Sequence, residues 1–280
     1  MSSNYYYLIS SLPELRLDDY KEPYQVNELI EELYLNLDPK RCRYVRDVLY
    51  MNDNPNIIDV LCGAGNTWID ARGNYTFKQM EQMLLSPDSI DGEKDGYIVS
   101  FYNEFRMLSS RDEKPKRDEL ENLLLKGFYK KMMDHENDFI KNYFTFDYYL
   151  RNTLLALNKR KFQDQDIELL DIDQDDIIKK LNGSSSGDFG LGGNLDFMSR
   201  ILDIFEKDDI VQREKAIDQM RWEMIDQINT FAYFKVDTLL GYLIKLMMVE
   251  RWIAMTDQKG GEVFDRLSEV DEKILEGFLK

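Results

Sequence analysis

Asp171-Ile-Asp173-Gln-Asp175 opens like a calcium-binding loop, in which alternating carboxylates offer hard oxygen ligands to the ion. The match then breaks. The sixth position, where glycine makes the sharp turn, is Asp176, and the twelfth, where a bidentate carboxylate closes the cage, is Asn182. The run therefore reads as the acidic start of a helix, complementing its macrodipole. Cys62-Gly63-Ala64-Gly65 begins a dinucleotide-type glycine fingerprint, yet Trp68 takes the place of the third glycine and no strand pattern precedes it. Gly183 to Gly193, GSSSGDFGLGG, has no lysine followed by serine or threonine and so is no phosphate-binding loop. Its Asp188-Phe189-Gly190 triplet stands without the other kinase elements, and the segment reads as a flexible loop or lobe boundary.

His135 is the only histidine, and between Asp134 and Glu136 it reads as an exposed residue on a charged helix segment, not as a catalytic base. With Cys42 and Cys62 as the only cysteines, a His/Cys zinc site and a disulfide framework are both out of reach. Asp18-Asp19-Tyr-Lys-Glu22 resembles the magnesium motif of helical prenyl-transferring and terpene-forming enzymes, which would make the chain a magnesium-dependent diphosphate-processing enzyme. Those carboxylates lie between Leu17 and Pro23 in a turn-like setting, and no second cluster of the same type follows on a later helix. Lys plus Arg number 36 and Asp plus Glu 53, giving 36 − 53 = −17, which disfavours a phosphate-backbone ligand and excludes nucleic acid as the expected partner. The residues thus supply no catalytic set, no cofactor site and no metal site, and a binding or mechanical role leads over an enzymatic one.

The elements that carry these residues read as helices. Asp38-Pro39 is an N-cap followed by proline at the first helical position, where the missing N–H is harmless, and Asn54-Pro55 repeats the device with Ile57, Ile58 and Leu61 behind it. Gly63 supplies a stop. Thr76 with Gln79 forms a capping box before Met80, Met83 and Leu84, in a short helix ending near Ser86-Pro87. From Asp118 to Lys161, apolar residues at three-to-four spacing with no proline imply one very long helix or an αα-hairpin. A short helix closed by Gly183 follows. Asn194 is placed to cap the next helix, and a second apolar-periodic stretch runs from Asp208 to Thr256. Gly260-Gly261 ends it before a last amphipathic helix carrying Phe264, Leu267, Val270, Ile274 and Leu275. Tyr5 to Ser10 is the best strand candidate, although a short buried helix fits as well. The expected fold class is all-α, in three helical lobes over residues 1–117, 118–193 and 194–280, with 280 residues ample for a sizeable core. No apolar run approaches the ~18 residues of a membrane span, and the N-terminus lacks a basic segment ahead of an apolar one, so a cytoplasmic protein is expected. The stripes Tyr143, Phe144, Phe146, Tyr148, Tyr149 and Met247, Met248, Trp252, Met255 exceed what one neighbouring helix buries and suggest a partner surface.

Phe146 to Lys161, FDYYLRNTLLALNKRK, and Leu239 to Gly261, LLGYLIKLMMVERWIAMTDQKGG, echo one another, with a weaker third copy in Tyr97 to Lys114. Both place a Tyr-Leu pair ahead of a polar step, then an apolar turn, then a basic or glycine end. These stretches resemble the socket protein of V-type and archaeal-type ATPases, the family lettered C in bacteria and d in eukaryotes. In that family an aromatic-Asp-x-x-x-x-Asn helix with a basic end recurs, here Phe146, Asp147, Asn152, Lys159 and Arg160, and the last lobe has a Tyr-Leu helix followed by Glu and Arg, here Tyr242, Leu243, Glu250 and Arg251, with Lys259-Gly260 at its end. The N-terminal YYYLISSLPELRLDD is similar to a bacterial family of unknown function whose genes accompany V-type ATPase genes. Tyr5 to Leu15 departs from the C/d family in lacking its Ala-Arg-x-Arg signature.

The resemblance implies a multi-lobe helical funnel of pseudo-repeated bundles, a non-catalytic central-stalk socket in proton or sodium transport. Its partners would be the V-type ATPase central-stalk subunits and the membrane rotor ring, and it would sit peripherally at the inner face of the membrane through protein contacts. Glu250, Arg251, Arg151 and Asn152 are the expected interface residues. A cytoplasmic helical adaptor of the same fold serving another assembly is the alternative.

Overall fold

Asp38 accepts the amide of Arg41 and Pro39 occupies the first turn, so the third helix starts where the sequence places it. The computed structural model describes residues 5–19, 21, 23–63, 70–86, 92–110, 115–232 and 234–257. Among them there are eleven helices and no strand, so the fold is all-α. In order these are α1 (Tyr5–Ser11), α2 (Val26–Asn36), α3 (Pro39–Leu61), α4 (Phe77–Leu85), α5 (Gly92–Ser109), α6 (Arg117–Met133), α7 (Asp138–Phe162), α8 (Asp176–Gly183), α9 (Met198–Phe205), α10 (Ile210–Asn229) and α11 (Val236–Asp257). Expectations for Glu22, Gly65, Trp68, Pro87, the end of the third echo at 111–114, Gly260-Gly261 and the final helix at 264–275 fall outside the described residues.

Local chemistry explains several borders. Thr76 and Gln79 close a reciprocal capping box on α4, and Asp175 caps α8 through the amide of Ile177. Gly63, at φ +85°, takes the left-handed conformation just past α3 that a side chain would resist. The long apolar stretch resolves as an αα-hairpin, because Asp134 to Asn137 interrupt it between α6 and α7. The second stretch likewise divides into α10, ending at Asn229, and α11, starting at Val236. The strand alternative for Tyr5 to Ser10 gives way to α1, in which Leu8 is buried and Tyr7 exposed.

Three expectations are corrected. Asn54-Pro55 starts no helix: Pro55 lies inside α3, on its exposed face, without an N–H for the Met51 carbonyl. Asn54, the expected cap, is 4 % exposed and accepts the hydroxyl of Tyr97, so its side chain is committed elsewhere. Asn194 caps nothing either, since α9 begins four residues later behind Phe197, and its side chain takes the Lys180 ammonium. The Gly183 to Gly193 segment is a folded turn with Phe189 and Leu191 buried. Arg160 reaches across from α7 to the carbonyls of Ser184, Ser186 and Gly187 and stacks its guanidinium 3.8 Å from the Phe189 ring centre.

The chain divides into two compact units, one of residues 1–7 and 26–141 and the other of 8–25 and 142–280, so the division falls within α7. In the first unit α3 packs on α2, α4 and α6, and α5 on α6. Its core holds Val45, Leu49, Ile57, Phe101, Leu124 and Met132. In the second, α10 packs on α9 and α11. Leu239, Leu243, Leu246 and Val249 of α11 are fully buried. The aromatic and methionine stripes are mostly interior: Tyr143, Phe144, Phe146, Tyr148, Met247, Met248 and Trp252 are all buried and offer little to a partner.

Candidate functional site

Each unit carries a network of charged and amide side chains inside its core, where an unpaired polar group would be costly. In the first unit nearly all of it hangs from α3, whose Asp47, Asn52, Asp53, Asn54 and Asn56 are buried. On the same helix, Arg46 grips both oxygens of Asp95 on α5 at 2.9 Å and donates to the Tyr75 hydroxyl at 2.7 Å. The Tyr50 hydroxyl donates to the same carboxylate. Burial and the adjacent Asp95 push the Tyr50 and Tyr75 hydroxyls well above their ordinary range, so both are donors and never phenolates at physiological pH.

Asp53 ties the loop before α4 to the same helix. It accepts the Asn74 amide at 2.7 Å, the Asn74 side chain at 2.7 Å and the Tyr75 amide at 3.1 Å. Burial nonetheless pushes its carboxyl up to about 7, against the pull of those donors and of Arg46. Gly73 must be glycine here, because a Cβ would collide with the Asp53 carboxylate. Asn56 pairs with a single backbone residue at both ends, donating to the Asp70 carbonyl at 2.9 Å and accepting its amide at 2.8 Å.

The lone histidine is not exposed. Its side chain is 7 % accessible, and Nε2 lies 3.1 Å from Asp47, which also takes Lys131 at 3.0 Å. Nδ1 accepts the Asn137 amide at 2.9 Å, which leaves the ring proton on Nε2, facing Asp47. The ring turns inward to a carboxylate on α3, although its sequence neighbours Asp134 and Glu136 are charged.

In the second unit the polar chain runs across three helices. Asp218 of α10, 1 % exposed, accepts Arg221 at 3.1 Å, Trp252 Nε1 at 2.8 Å and the Arg251 guanidinium. Arg221 in turn donates Nε to Asp147 of α7 at 2.8 Å. Burial opposes the Arg221 charge, but Asp147 and Asp218 outweigh it and drive its pKa upward. The result is an alternating chain, Asp147, Arg221, Asp218, Arg251, in which each internal charge has a partner of opposite sign.

Two of the residues that carry the family resemblance, Asp147 and Arg251, are therefore the ends of one network, joined by Arg221 and Asp218, which no sequence motif marks. Asn152, expected at an interface, is fully buried: it accepts the Leu170 amide at 2.7 Å and donates to the Leu170 and Tyr148 carbonyls, pinning the segment after α7 to the helix. Arg151 and Glu250 are half-buried, and Arg251 is the exposed end of the chain. A signal was available in α3, where Asp47 and Asn52 repeat the five-residue spacing of Asp147 and Asn152. In both helices the aspartate takes a cation, and the asparagine donates to backbone of the segment that follows, at Arg72 and at Leu170.

Asp18, Asp19 and Asp171, among the carboxylates singled out for metal chemistry, are occupied with structural bonds. Asp18 pairs with Lys215, Asp19 accepts the Arg16 amide at 2.8 Å, and Asp171 accepts the Asp175 amide at 3.0 Å. Among the described residues no group of three or more His, Cys, Asp or Glu side chains is placed to hold a metal ion. Nor is any helix among them long and apolar enough to cross a membrane.

An all-helical chain cross-tied by buried ion pairs is the class that fold and site define. The profile of a family described as Protein of unknown function (DUF2764) matches residues 1–273, and the chain belongs to that family. No curated protein and no solved structure matches it.

Proposed function

We propose that the chain is a non-catalytic central-stalk component of a bacterial V-type ATPase, the socket that links the stalk to the membrane ring. The observation that carries this reading is the Asp147–Arg221–Asp218–Arg251 chain, which joins the two stretches that resemble the C/d socket family into one cross-helix brace. A torque-bearing socket needs helices that do not slide past one another. Paired buried charges specify one register more sharply than apolar packing does. The repeated Asp and Asn spacing in α3 and α7 supports the pseudo-repeated lobes that the family resemblance implies. Surplus carboxylates suit basic stalk or ring-loop residues.

The test is an affinity purification of tagged protein from gently solubilised native cells. Mass spectrometry should find stalk and ring subunits in near-stoichiometric amounts. Recovery of neither, with the rotary complex intact in the same lysate, overturns the proposal.

A further inference from the structure

We propose that the turn between α10 and α11 is a lipid-contacting tip, which seats Phe231 and Phe234 in the headgroup region of a bilayer. Phe231 is 85 % exposed and Phe234 60 %, the large apolar side chains that the second unit gives most fully to water among its described residues. Exposure here is built in. The Ala232 amide donates to the Asn229 carbonyl at 2.9 Å, and the Thr238 hydroxyl donates to the Ala232 carbonyl at 2.6 Å. Asn229 also donates to the Asp237 carbonyl at 3.2 Å, across the base of the turn. Ala232 is buried as the anchor, so the turn is held down while the two rings on either side of it project.

Charge selects the occupant. In a chain of net charge −17, the stretch Asn229 to Val236 contains no carboxylate and one basic residue, the exposed Lys235, with the half-buried Asp237 following at the base of the turn. The nearest upstream carboxylate, Asp226, is neutralised by Lys245. Aromatic rings beside a lysine match a zwitterionic lipid surface, where rings enter the acyl boundary and the ammonium meets phosphate. A protein occupant fits less well. Two rings on a projecting turn fall far short of the roughly 800 Å² per partner that a stable interface buries, and a second copy would bring its own large negative charge.

The experiment uses the full chain and phosphatidylcholine vesicles, with no ATPase component present, so its result is independent of the stalk reading. Wild type should co-sediment at millimolar lipid, and the double substitution Phe231→Ser with Phe234→Ser should lower the partition coefficient at least tenfold while leaving helicity by circular dichroism unchanged. A Phe231→Trp reporter should be quenched by lipids brominated near the headgroup. Equal sedimentation of wild type and variant, no sedimentation of either, or phenylalanine-dependent self-association without lipid each overturns the proposal.

Discussion

The two units bury charge in different ways. In the first, a single helix supplies most of the polar groups, and several of them end on backbone: Asp53 on the Asn74 and Tyr75 amides, Asn56 on Asp70, Asn52 on the Arg72 carbonyl. In the second, the charges meet one another across α7, α10 and α11 through the shared carboxylate of Asp218. The first arrangement shapes loops around α3 besides tying α3 to α5 and α6 through Arg46–Asp95 and Asp47–Lys131, and the second fixes helices against helices alone. Buried charge thus sets loop conformation together with helix pairing in one unit and helix pairing in the other, with the same residue types.

Removing the shared carboxylate is the severest way to break this contrast. Asp218→Ala takes one acceptor away from Arg221, Arg251 and the Trp252 N–H at once, with Asp147 still on Arg221, and should destabilise the protein by about 3–5 kcal/mol. Asp95→Ala takes the carboxylate from one guanidinium, Arg46, which keeps the Tyr75 hydroxyl, and from the Tyr50 hydroxyl, and should cost less. Urea unfolding midpoints of the two variants decide it, and an equal or reversed order would mean that Asp218 is no hub.

A smaller effect sharpens the likeness between the two asparagines that clamp backbone. Asn152→Ala leaves the amide of buried Leu170 without its acceptor and should cost about 1–3 kcal/mol. Asn56→Ala uncovers a half-buried Asp70 that water can reach, so its penalty should be distinctly lower. Denaturant melts of both variants read the difference directly.

The gentlest perturbation is pH. Asp53 holds its proton up to about 7 in the native state, against an ordinary carboxyl value of 3.8. Between those values the folded chain binds more protons than the unfolded one, so the stability this group contributes is full at low pH and is lost as pH rises through 7. The slope is at most about 1.4 kcal/mol per pH unit. The gap between wild type and Asp53→Asn should therefore narrow from pH 4 to 7; a gap independent of pH would show that Asp53 is already ionised throughout.

Much of the helical layout was legible in the sequence, because caps and apolar spacing are local. Asp38-Pro39, Thr76 with Gln79 and the helical hairpin over 118–161 all lie where those signals put them. The misreadings share a cause. Asn54, His135 and the glycine-rich segment each look like surface features to their neighbours in sequence, and each is claimed by a distant partner: Tyr97, Asp47 and Arg160 respectively. Interior Asp and Asn are invisible to hydropathy, which counts them as solvent-facing, so the Asp218 network could not be seen from composition or period. Asp147 and Arg251 belong to separate motifs and stand more than a hundred residues apart, and only the fold brings them into one chain of charges.

The shared carboxylate also constrains how this chain can drift. A lineage that loses Asp218 removes an acceptor shared by two arginines and an indole. Positions 147, 218, 221 and 251 should therefore be inherited as a set, changing in company or not at all. Related chains that keep the brace should keep all four, and those that have replaced it with apolar side chains should have lost all four.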